Sequence, residues 1–132
     1  MHKPYSEIKK HEADFRVKYK FYTHEEGGRK IIPYQGIRCD FVYDDSDLVD
    51  RAWMIWPEFE DEDGNIILDN TKSVPESGTA KMWIINEDLR DYHSERIKVG
   101  LKCNFWEGKR TADCEVIEIL GLYSNPKGKS SS

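Results

Sequence analysis

No apolar run in the chain approaches the ~20 residues that a membrane-spanning helix needs, so no transmembrane segment is expected. The first residues, Met1-His2-Lys3-Pro4-Tyr5-Ser6-Glu7, put no apolar stretch behind the charge. No secretory signal is therefore expected, and a cytoplasmic location is. Cysteine is scarce: Cys39, Cys103 and Cys114 stand far apart, their number is odd and no CxxC occurs. Neither a zinc site nor a disulfide framework follows, and the three are read as buried, reduced core thiols.

Phosphate-binding glycine loops and the GxSxG nucleophile elbow are missing as well. The histidines, His2, His11, His24 and His93, show no metal spacing and are read as surface residues. An EF-hand with its glycine at Gly64 would need an acid and a glutamate where Phe59 and Asn70 stand. Carboxylates are so plentiful that any two could be called an acid–base pair, and without geometry such a pair means nothing. No catalytic constellation, metal or cofactor is therefore expected.

What the 132 residues do hold is charge, 34%, and large rings: seven Tyr, five Phe and four Trp within 38% hydrophobic content. Rings fill a small core efficiently, so one folded domain is expected. The net charge of -5 is unevenly spread: residues 40–70 hold eleven acids and one base, Arg51, leaving the other 101 residues at +5. Such a segment forms either an acidic face suited to a basic partner or a solvated, acid-rich loop region.

Apolar residues recur with period two at Phe15, Val17, Tyr19 and Phe21, at Ile37, Cys39, Phe41 and Tyr43, and from Ile97 and Val99 to Phe105. Strands are predicted near 14–22, 36–43, 80–86, 97–105 and 111–119, with Phe15, Phe41, Leu101 and Cys103 in the core. Ile117 and Ile119 change parity against Ala112, Cys114 and Val116, which predicts a bulge or double-sided burial near Val116. Arg51–Trp56 reads as a short aromatic run ended by Pro57, and 57–79 as the most mobile interior segment. Trp53 and Trp56 cannot share one strand face, and Trp106 has outward parity beside the Glu107-Gly108 turn. The organisation expected is a polar lead-in over 1–12, one β domain over 13–123 and a flexible tail over 124–132.

The run Phe15 to Phe41, with Glu25-Glu26-Gly27-Gly28-Arg29, Pro33-Tyr34 and Gly36-Ile37-Arg38-Cys39-Asp40-Phe41, resembles the third, C-terminal domain of bacterial elongation factor Tu. Gly100-Leu101-Lys102, Glu107-Gly108-Lys109-Arg110-Thr111 and the strand Ile117 to Gly121 resemble that domain's closing part, in the same order. The resemblance implies an all-β fold, a closed antiparallel six-stranded barrel. It also implies a functional face on which two turns meet, carrying Arg29, Trp106, Glu107, Gly108, Lys109 and Arg110. Arg29, Glu107 and Gly108 match positions that face tRNA in the family, whereas Asp40, Asp44 and Val49 replace a Gln, an Arg and a Thr. Two of these changes put negative charge on a phosphate path. The expected function is a stand-alone, non-catalytic interaction module with a protein partner, a translation-related protein being one candidate. The alternative is an RNA-binding barrel on a tRNA-like stem. Neither a membrane nor GTP is an expected partner.

Overall fold

Alternation builds the central strand. In the computed structural model, β1 (Phe15–Phe21) turns Phe15, Val17, Tyr19 and Phe21 inward, each at most 3% exposed, and leaves its cations outside. The structure describes residues 1–44 and 51–127. Five more strands follow: β2 (Asp40–Tyr43), β3 (Ile55–Phe59), β4 (Ser77–Ile84), β5 (Lys102–Trp106) and β6 (Arg110–Ile119). Two short helices, α1 (Tyr5–Lys9) and α2 (Arg90–Ser94), complete it, a 3₁₀ turn at Glu87–Leu89 leading into α2.

The strands form one antiparallel sheet in the order β2-β5-β6-β1-β4-β3. It curls around a ring cluster in which Tyr19, Phe21, Phe59 and Phe105 stand 5.1–6.0 Å apart, centroid to centroid. Each such ring pair adds about 0.5–1.5 kcal/mol beyond the area it buries. The curl is a half-barrel and not the closed barrel expected. Its edge strands β2 and β3 share no continuous ladder. Among the described residues, one bridge joins β2 to Trp53, two residues before β3: Phe41 N donates to Trp53 O at 2.9 Å and Trp53 N to Phe41 O at 2.8 Å.

Of the two outcomes expected near Val116, strand β6 carries the bulge: its register against β1 shifts between Arg16 and Val17, skipping Ile117. Two strands are shorter than predicted, and glycine is the reason in both. Gly36, at φ +96°, closes a Tyr34–Ile37 turn, so β2 starts only at Asp40. Gly100, at φ +94°, closes a Lys98–Leu101 turn, which leaves Val99 62% exposed and Leu101 only partly buried. Such φ values suit glycine because it lacks a Cβ.

Strand β3 corrects the reading of Pro57 as a terminator. Pro57 sits inside it, opposite Met82, on a sheet edge where its missing N–H removes no ladder bond. Of the acid-rich segment, Glu58 and Glu60 are buried. Glu60 accepts from Arg16 Nε at 2.6 Å; Glu58 accepts from Trp83 Nε1 at 3.1 Å and Tyr5 N at 2.8 Å, with His2 Nε2 at 2.6 Å. His2 and His93 are thus buried, not surface residues; His93 lies on α2 against Tyr43 and Trp53. Trp53 is buried and Trp56 half-buried. The three cysteines are buried and free.

The chain after β6 stays docked as far as Asn125, whose amide donates to Glu12 O and Asp14 Oδ1, both at 2.9 Å. Asp45, Ser46, Asp47, Val49 and residues 128–132 of the expected tail lie outside the described residues. Among the described residues, no helix is long and apolar enough to cross a membrane.

Candidate functional site

The antiparallel pairing of β1 with β6 decides which loops meet. Phe21, the last residue of β1, stands opposite Ala112 near the start of β6, and Tyr22 N donates to Thr111 O at 3.0 Å. The loop leaving β1 therefore lies beside the turn between β5 and β6.

Each loop has local reasons for its shape. Thr23 N donates to Glu26 Oε1 at 2.9 Å, which lowers the Glu26 pKa, and Glu26 N donates back to Thr23 Oγ1 at 3.1 Å. Gly27 follows at φ +94°. Gly28 is packed on the preceding backbone so tightly that a Cβ there would stand 2.3 Å from Tyr22 O. Across from it, Glu107 N donates to Lys109 O at 2.8 Å around Gly108, at φ +77°. A bulge between Phe105 and Trp106 sets Trp106 opposite Arg110 and leaves its ring half-buried.

The two turns are tied side chain to side chain. Arg29 Nη1 donates to Glu107 Oε1 at 2.5 Å, and Lys109 Nζ to Gly28 O at 3.4 Å. Glu107 Oε2 is buried and has no hydrogen-bond partner among the described residues. Beneath the pair, burial first, then the Glu107 and Asp40 carboxylates, push the Cys39 thiol well above its usual pKa, so it stays protonated and unreactive. Burial also raises the Asp40 pKa; Asp40 stands opposite Trp106.

Of the residues expected on one face, Arg29, Glu107, Gly108 and Lys109 form this tied unit, and Trp106 flanks it. Arg110 belongs to a neighbouring network. Its Nε donates to Asn104 Oδ1 at 3.2 Å and lies 3.9 Å from Asp44 Oδ1. The carboxylate that engages Arg29 is Glu107, and neither Asp40 nor Asp44.

Sequence reasoning gave little weight to the stretch after Arg29. Arg29 Nε donates to Ile31 O at 3.1 Å, Ser73 Oγ to Ile32 O at 2.7 Å and Val74 N to Pro33 O at 2.9 Å. Gln35 is buried: its Nε2 donates to Phe59 O at 2.8 Å and Ile67 O at 2.9 Å, and its Oε1 accepts from Phe59 N at 2.9 Å. Fixed this way, the stretch forms a groove of about 390 Å³ whose lining includes Arg29, Ile31, Pro33, Tyr34 and Ile37. The available signal was Ile31-Ile32-Pro33-Tyr34 within a run, 27–38, that holds three cations and no acid.

Among the described residues, no group of three or more His, Cys, Asp or Glu side chains is placed to hold a metal ion. No protein-family model and no curated protein matches the chain.

Proposed function

We propose that the chain is a non-catalytic interaction module related to the C-terminal domain of elongation factor Tu, and that it binds a protein partner through the two tied turns. One observation carries the reading. The two turns that bear the resemblance, separated by most of the chain, meet through Arg29 and Glu107 at 2.5 Å. A surface built from distant loops on a sheet scaffold suits recognition, since the scaffold fixes the loops and the loops supply the chemistry.

Two features favour protein over RNA. The Arg29 guanidinium is engaged by Glu107, and Arg110 lies 3.9 Å from the Asp44 carboxylate. A phosphate backbone would compete with fixed carboxylates for both cations. Binding to a tRNA stem should then be no tighter than the ~10⁻⁴–10⁻⁶ M of non-specific contacts at physiological salt.

The test titrates wild type and an Arg29→Ala/Arg110→Ala variant against aminoacylated tRNA and against protein isolated on the immobilised domain from the source cell. Weakened protein binding by a variant that stays folded is expected. Nanomolar, salt-resistant tRNA binding would replace this reading with the RNA-binding one.

A further inference from the structure

The stretch after Arg29 reverses the usual placement of side chains. Its polar residue, Gln35, is 5% exposed, while Ile31 is 65% and Tyr34 49% exposed. A single exposed apolar residue needs no explanation, but a buried amide beside an exposed apolar patch does. The arrangement is fixed. Three Gln35 bonds, the Ser73 hydroxyl and the Val74 amide hold the backbone, and Pro33 is buried. Rotating Ile31 or Tyr34 inward would break bonds that Gln35 makes to the end of β3. The groove between them, about 390 Å³, lies in the range of roughly 300–1,000 Å³ typical of sites that take an organic side group.

The charge along the run that forms it, 27–38, has one sign. Arg29, Lys30 and Arg38 bracket the groove in sequence with no acid between them, and Lys109 touches Gly28 O beside Arg29. Lys30, Arg38 and Lys109 make no ion pair among the described residues. Arg38 instead lies over the Trp56 ring, its Cζ 5.1 Å from the centroid. Of the carboxylates near these cations, Glu107 is taken by Arg29, and Asp40 stands two residues after Arg38.

We infer that the groove at Ile31 and Tyr34 takes an acidic protein segment, which seats a large apolar side chain in the groove and sets carboxylates against Lys30, Arg38 and Lys109. The inference rests on the interaction-module reading and gives its partner a chemistry. The apolar contact supplies affinity. The cations without ion pairs that flank the groove supply selection, because like charge repels a basic segment and attracts an acidic one.

The probes are fluorescein-labelled synthetic peptides, followed by polarisation. One carries Leu-Phe between glutamates, a second has lysines in place of the glutamates, and a third has Ser-Ser in place of Leu-Phe. The first should bind saturably, and the other two at least roughly tenfold more weakly. Ile31→Asp should weaken the first by a similar roughly tenfold factor, and Lys30→Glu by a few-fold that shrinks as salt rises. Tyr34→Ala provides a second groove variant. All three positions are exposed, so unchanged thermal unfolding should accompany the loss.

Equal binding of the lysine peptide, or indifference of the glutamate peptide to both Ile31→Asp and Tyr34→Ala, overturns the inference. So does a concentration-dependent dimer that Ile31→Asp dissolves, which would make a second copy the occupant. A partner weakened by Arg29→Ala/Arg110→Ala but not by the groove variants would sink the groove and leave the interaction module standing. Indifference to every variant would remove both.

Discussion

Of the arginine–carboxylate pairs that join elements far apart in sequence, two are opposites. Arg90 and Asp14 are both 0% exposed in their side chains, at 3.0 Å, whereas Arg29 and Glu107 are 34% and 25% exposed, at 2.5 Å. Around Asp14 three donors converge. Arg90 Nε comes to 3.1 Å and Asn125 Nδ2 to 2.9 Å on one oxygen, and Ile84 N to 2.8 Å on the other. That carboxylate fastens α2, the end of β4 and the chain after β6 to the start of β1. Among the described residues, the Glu107 carboxylate has one hydrogen-bond partner on one oxygen and none on the other. The shorter contact is therefore the more replaceable one. Burial and the number of converging donors set how much a pair matters to the fold, and distance alone does not.

The sharpest way to break that comparison is to remove Arg90. An Arg90→Ala variant leaves the Asp14 charge buried with its main counter-charge gone, and opens space in the interior. Removing one partner of such a pair costs about 3–5 kcal/mol. Against a typical total of about 5–15 kcal/mol, the variant should be close to unfolding. The urea midpoint measures the loss. A change below about 1 kcal/mol would mean that the Asp14 hub does not hold these elements together.

A somewhat smaller effect should come from pH. His93 on α2 lies 2.6 Å by Nδ1 from the Tyr43 hydroxyl, with the Trp53 ring edge-on at 4.8 Å. Burial first, then the Arg96 and Arg51 charges, lower its pKa to about 4. The native ring is therefore neutral at pH 5, whereas an unfolded histidine, with its pKa of about 6.5, binds a proton there. The unfolded state holds more protons between these values, so stability must fall as pH drops from about 6.5 toward 4. This group alone should remove about 2 kcal/mol between pH 7 and pH 5. Urea melts at both values, on wild type and His93→Gln, isolate it. The variant should show a flatter dependence, and an equally steep one would assign the fall to other groups.

What the sequence made legible follows the range over which each feature acts. The period of β1 could be read directly, because every second side chain meets one core. The parity change at Ile117 likewise located a bulge. Gly36 and Gly100 were hidden inside apparent alternation, since a parity count passes over a glycine that turns the chain. Pro57 misled in the opposite direction: proline ends a central strand, but nothing local says that β3 is an edge. His93 was read from residue type alone and Glu58 only as one acid of a rich segment, and their burial depends on partners 50 and 25 residues away in sequence. The tied turns were reached through a resemblance. The groove beside them was missed, because the bonds that expose Ile31 and Tyr34 come from Gln35, Ser73 and Val74, which no periodicity links.

The smallest expected effect tests the other half of the comparison. Arg29→Ala, Glu107→Ala and the double variant form a cycle whose coupling energy isolates the pair. Both side chains reach solvent, so their attraction is screened and ordering them offsets part of it. The coupling should be about 0.2–1 kcal/mol, an amount that salt reduces. Glu107→Ala also removes the buried oxygen that lacks a partner, so this single variant should cost less than Arg29→Ala, which leaves the carboxylate unpaired. That asymmetry is the specific signature of the geometry. A coupling above about 2 kcal/mol, beyond what exposed pairs give, would make Arg29–Glu107 a brace like Arg90–Asp14. The turns would then be closed to a partner, because Arg29 could not exchange one carboxylate for another without loosening the fold.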